Sequence, residues 1–91
     1  MNSLDLTKFT EVAGKVRPHT SKDVFFHLAE EVGEVSVCIN RPDKAGEPLV
    51  GELADVINCA LDIYYLEYGD DFQLLQEHIN KKCAKWLSVQ G

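Results

Sequence analysis

The sequence predicts an all-α domain, and three observations predict it. Four segments carry apolar residues at three- and four-residue spacing, and no stretch sustains the period-two alternation of a half-buried strand. Glycine and proline fall mostly between those segments, where they punctuate rather than interrupt. The expected architecture is a four-helix bundle.

The first helix is expected from about Asp5 to Val16, with Leu6, Phe9, Val12, Ala13 and Val16 at helical spacing. Asn2 or Ser3 is placed to cap it, Gly14 weakens its last turn, and Arg17-Pro18 ends it. The second begins after Thr20, with Asp23 three residues on as a capping-box-like pair. It reaches about Ile39, with Val24, Leu28, Val32, Val35 and Ile39 as its apolar stripe. Residues 40–47 read as a loop by composition. Pro48 suits the first turn of the third helix, where its missing N–H costs nothing. That helix runs to about Tyr68, with Leu49, Leu53, Val56, Ile57, Ala60 and Tyr64 inward and Gly69 as its C′ residue. Asp70 and Asp71 open the fourth helix at its dipole-positive end. It carries Phe72, Leu75, Ile79, Cys83, Trp86 and Leu87 and ends near Ser88.

At 91 residues and 45% hydrophobic content, the chain forms one domain with a thin core, so self-association is expected. Fifteen acidic against nine basic side chains give a net charge of -6 and no basic block, which argues against nucleic-acid binding. An acidic protein that handles phosphates needs a divalent cation between itself and the ligand. Cys38, Cys59 and Cys83 lack zinc-ligand spacing and read as reduced, packed thiols. The start shows no signal peptide, and no apolar run approaches the roughly 20 residues that span a bilayer. The expectation is a cytoplasmic protein without a membrane partner.

The acids of the second helix stand in an unusual place. At about 100° per residue, Glu31 lies about 20° from Val24 and Glu34 about 80° from it, on the same side. A solvated acid would sit opposite the apolar face, near Gly33. His27, Glu31, Glu34 and Cys38 form a stripe bordering the apolar face. The third helix repeats the pattern, with Glu52 and Asp55 flanking Leu53, Val56 and Ala60, and Asn58 and Asp62 further round. Antiparallel pairing of the two helices would turn both acid pairs toward each other. Carboxylates brought together there need a counter-charge. Oxygen-only ligands suit a hard cation, magnesium or manganese. Amphipathic helices also carry acid pairs on their surfaces for solubility alone, and spacing by itself leaves both readings open.

Glu30-Glu31-x-x-Glu34, a gap of 17 residues and then Glu52-x-x-Asp55 resemble the EExxE…ExxD signature of the MazG-like all-α NTP pyrophosphohydrolases. HLAEEVGEVS and GELADVINCALDI resemble that family's two motif helices, and the likeness covers about residues 19–87. The resemblance implies a MazG-like bundle and hydrolysis of (deoxy)nucleoside triphosphates to monophosphate and pyrophosphate, a nucleotide-pool house-cleaning activity. It implies Glu31, Glu34, Glu52 and Asp55 as Mg2+ ligands, with Mn2+ a substitute. It also implies a homodimer or a tetramer of two dimers, with pockets between subunits.

Among these acids Glu34, with Glu31 beside it, is the expected catalytic pair, and Glu34 is favoured to take a proton from water. Glu30 points away from Glu31 and suits an outer role. No GxxxxGK[ST] loop is present, so phosphates fall to metals and basic side chains. The family places a lysine and, four residues on, an asparagine in its last motif helix. This chain has Lys81 and Lys82 but Lys85 or Trp86 in the asparagine's place, leaving Lys82 as the candidate phosphate contact. For the base, the His19 loop and Phe25, Phe26 and His27 are the candidates, with His27 also placed to hydrogen-bond a ligand carboxylate, while Asn58 and Asp62 lie beyond the motif as further site candidates.

Two rivals remain at this level. Phosphoribosyl-ATP pyrophosphohydrolases carry a related acid pattern, but that branch tends to have a lysine shortly before its first glutamates, where this chain has Phe26 and His27. A non-catalytic metal-binding or helical interaction module would keep the acids and release no pyrophosphate.

Overall fold

The computed structural model describes residues 3–90. Among them all regular structure is helical: α1 (Thr7–Ala13), α2 (Ser21–Asn40), α3 (Leu49–Tyr68) and α4 (Gln73–Gln90), with a 3-10 turn at Pro42–Lys44 inside the expected loop.

Local chemistry sets the helix ends. α1 is shorter than its apolar spacing suggests. Its first N–H, that of Thr7, donates to Asp5 Oδ1 at 2.9 Å, while Leu6 at the N-cap offers no side-chain acceptor. Asp5 thus does the work expected of Asn2 or Ser3; Asn2 lies outside the described residues. The capping box of α2 is complete, with Asp23 N–H donating to Thr20 Oγ1 and Thr20 N–H to Asp23 Oδ2, both at 3.2 Å. Pro48 stands at the N-cap of α3 rather than within its first turn. Gly69 ends α3 at φ 91° and ψ -163°, a backbone region that is essentially glycine's alone. α4 begins at Gln73, later than expected, where Asp71 Oδ1 accepts the Gln73 N–H at 3.0 Å.

α2 and α3 form an antiparallel hairpin, and its cross-links run in register from end to end. Near the turn the Cys38 thiol donates to the Glu47 carbonyl at 3.4 Å. At the open end Ser21 Oγ donates to Glu67, and His19 Nε2 meets Asp62 Oδ2 at 2.7 Å. His19 Nδ1 lies 2.9 Å from the Arg17 carbonyl, so both ring nitrogens face acceptors. Those two bonds, the Arg17 one first, raise the His19 pKa above its ordinary value.

The core is small. Val24 of α2 and Leu61 and Tyr64 of α3 are its buried hydrophobic residues. Around them Tyr64 stacks on Phe72 at 5.3 Å, and Phe9 of α1 meets Phe72 and Tyr65 edge-on at 6.1 and 6.4 Å. The Tyr64 hydroxyl donates to the Asp71 carbonyl at 2.8 Å, pinning the α3–α4 turn.

Several expected inward positions are exposed: Val12 and Val16, Val32 and Ile39, Leu49, Leu53 and Ile57, and Ile79, Trp86 and Leu87. Cys83 is also exposed rather than packed. The physical reason is that one chain supplies too few neighbours. α4 makes at most marginal contact with the other helices. The radius of gyration is 15.0 Å, where a compact chain of this length has about 12 Å.

Candidate metal centre

The α2–α3 hairpin carries acids on both of its helices. Glu31 sits at the middle of α2, and Glu52 and Asp55 occupy the first two turns of α3. Antiparallel pairing brings one carboxylate oxygen from each of Glu31, Glu52 and Asp55 within 4.8 Å of one another. Oxygens on opposite sides of a hard cation lie about 4 to 5 Å apart for bonds of about 2.1 to 2.4 Å, so the trio spans the right distance.

Glu52 is the unusual member. It is 6% exposed, and its Oε2 is buried without a hydrogen-bond partner. A buried carboxylate oxygen without a partner is costly, and native proteins rarely retain one without a compensating group. Its pKa is pushed up to about 7. A hydrogen bond with the Glu47 carboxyl contributes most, then burial, then the charges of Glu47, Glu31 and Glu34. The Glu31 pKa is also raised, by burial first and then by the charge of Asp55 and a hydrogen bond with it. Among the described residues the ion pairs join Lys8 to Glu11 and His19 to Asp62, so no ion pair neutralises the trio. The donor set is all oxygen, buried at one end, which fits a hard divalent cation and not a thiolate-seeking metal.

The other expected residues fall around this centre. Glu34 is exposed, one turn along α2 from Glu31, outside the close trio but near enough for its charge to raise both Glu31 and Glu52. Glu30 is exposed and outside the close trio. His27 is exposed, one turn before Glu31, and its charge favours the Glu31 carboxylate. Asn58 lies one turn beyond Asp55 and faces an open groove of about 550 Å³ between α1 and α3, lined also by Phe9, Val12, Ile57 and Asp62. Lys82 lines a separate apolar groove on α4 with Leu75, Ile79 and Trp86, and no ion pair among the described residues links it to the acids.

Glu47 is the residue that sequence reasoning passes over. It lies in a segment that reads as loop by composition, outside any helical stripe. The available signal is the glycine at position 51, which leaves space above the first turn of α3. A β-carbon there would stand 2.8 Å from Glu47 Oε1.

Comparison of the chain with protein-family models, with curated proteins and with solved structures gives no match. No helix among the described residues is long and apolar enough to cross a membrane.

Proposed function

We propose that the protein is a divalent-cation-dependent nucleoside triphosphate pyrophosphohydrolase that splits (deoxy)nucleoside triphosphates into monophosphate and pyrophosphate. The observation that carries this reading is Glu52, buried with an unpartnered oxygen and converging with Asp55 of its own helix and Glu31 of the facing one. The resemblance of Glu30–Glu34 and Glu52–Asp55 to the EExxE…ExxD signature supplies the substrate class.

Glu31, Glu52 and Asp55 would hold the cation. When bound, magnesium neutralises and orients a triphosphate and makes an attacking water more acidic. Glu34 stands beside the trio with its carboxylate in solvent, and takes the proton from that water. Glu31 keeps its own carboxylate turned to the Asp55 side. Asn58, one turn beyond Asp55 on α3, lines the groove between α1 and α3, and that groove is assigned to the sugar and base. The chain works as a homodimer or a tetramer in a MazG-like bundle. Its extended α4 and exposed apolar rows support that assembly.

The test is a panel of deoxy, ribo and modified triphosphates, with phosphoribosyl-ATP as one member, assayed with Mg2+ for the phosphate species released. At least one triphosphate yields pyrophosphate and monophosphate without orthophosphate. Glu34→Gln loses about a hundredfold or more of that rate. Undiminished turnover in the variant removes Glu34 from the mechanism. Absence of pyrophosphate from every substrate removes the enzyme reading.

A further inference from the structure

Two helices of the chain carry a row of residues that no other helix covers. On α2, Phe25, Ala29, Val32, Ser36 and Ile39 follow one another at steps of four and three residues, the spacing of a coiled-coil seam. Phe25, Val32 and Ile39 are 57, 53 and 63% exposed, and Ala29 and Ser36 are exposed between them. On α4, Leu75, Ile79, Lys82, Trp86 and Val89 repeat the same steps in the same phase. Each row is about 21 Å long at about 1.5 Å per residue.

Within one chain the two rows are not packed together. α4 makes at most marginal contact with the other helices. The turn leading into it is fixed to α3, with the Tyr64 hydroxyl donating to the Asp71 carbonyl at 2.8 Å and the Tyr64 ring stacked on Phe72 at 5.3 Å. Charge distinguishes the possible covers. α4 carries Lys81, Lys82 and Lys85 against Glu77, and α2 carries Asp23, Glu30, Glu31 and Glu34 against Lys22. Pairing α2 with a second α2 would set an acidic helix against an acidic one, and pairing α4 with a second α4 a basic helix against a basic one. Only α4 on α2 brings opposite charges together. Size agrees with charge. Ala29 and Ser36 leave hollows between the large residues of α2, and α4 offers Ile79 and Trp86 as knobs.

We propose that the α4 row of one copy lies on the α2 row of a second copy, and that the reciprocal contact closes a two-fold dimer. This rests on the self-association in the proposed function and not on the cation centre. Val32 stands about 100° round α2 from Glu31, so the docked helix lies beside the acid trio without covering it.

The test measures mass against concentration for the full chain by sedimentation equilibrium. Wild type associates. Val32→Glu on α2 and Trp86→Glu on α4 each weaken association about 100-fold or more, because each puts an unpaired charge into both contacts of the dimer. Both side chains are more than half exposed in one chain, so each variant keeps the helical circular dichroism of wild type. An equimolar mixture of the two variants associates at least about 10-fold more tightly than either alone, because one of its two contacts joins a wild-type α4 row to a wild-type α2 row. Val50→Glu, at an exposed apolar side chain off both rows, changes affinity less than about twofold. A mixture that associates no better than its components overturns the pairing of α4 with α2 while the wild-type assembly stands, and undiminished association in either single variant does the same. Loss of association in Val50→Glu overturns the assignment of the surface. A wild type that stays a single chain at every concentration overturns the self-association and this proposal with it.

Discussion

Replacing Glu52 by glutamine separates the two demands on that side chain. In the cation-free protein the buried carboxyl has a pKa of about 7, against an ordinary 4.5. Between those values the native state holds a proton that the unfolded chain has released. Stability therefore falls as pH rises from 4.5 through about 7, and stays low above it. Glutamine keeps the shape and removes the charge, so Glu52→Gln in EDTA at pH 8 is more stable than wild type and lacks that falling limb. A divalent cation reverses the order, because only wild type retains the ligand. At a concentration of 100 times Kd, linkage adds about 2.7 kcal/mol to the wild-type protein. A domain of 91 residues gains about 4–8 °C in melting temperature per kcal/mol, so the shift is about 10–20 °C. Calorimetric melts at one protein concentration, across pH 5 to 8 with EDTA or Mg2+, read both effects. A variant that melts below wild type in EDTA at pH 8, yet gains as much from Mg2+, would refute the reasoning.

Two further outcomes follow from the backbone and from the exposed apolar rows. Gly69→Ala forces a β-carbon into φ 91° and loses about 1–3 kcal/mol in urea unfolding. Gly33→Ala, in mid-α2 with nothing within 4 Å of the added carbon, gains about 0.5–1 kcal/mol; shifts of the same sign at both sites would contradict the conformations assigned. Light scattering gives a mass of at least twice the 10.2 kDa chain, and Trp86→Glu, at a side chain 70% exposed in one copy, lowers it. A wild type that runs as a single chain would sink the oligomer.

The helices are legible because their signals are local. The Thr20–Asp23 box, the prolines and Gly69 each act within one turn, and each stands at or beside the expected boundary. α1 differs because a weak helix depends on which acceptor caps it, and Asp5 competes with Asn2 and Ser3 for that role. The trio is legible for a related reason. Helical spacing fixes which face Glu31, Glu52 and Asp55 share, and a short connection forces α2 and α3 to run antiparallel.

What is not legible depends on contacts that no period encodes. Glu47 folds back over Gly51, and a window tuned to helix faces sees only a polar loop there. The apolar rows err in the opposite direction. Hydrophobic spacing reports that a residue will be covered without naming what covers it. For Val24 the cover comes from this chain, whereas Ile79 and Trp86 are left largely uncovered. Glu52 joins the two cases. Its burial is set by the hairpin, yet its Oε2 finds no hydrogen-bond partner among the described residues. A fold with so few buried side chains keeps a buried charge only when something bound repays the cost. On the proposed reading, the small core and the acid centre lead to one expectation: the chain gains stability both from a bound cation and from a partner surface.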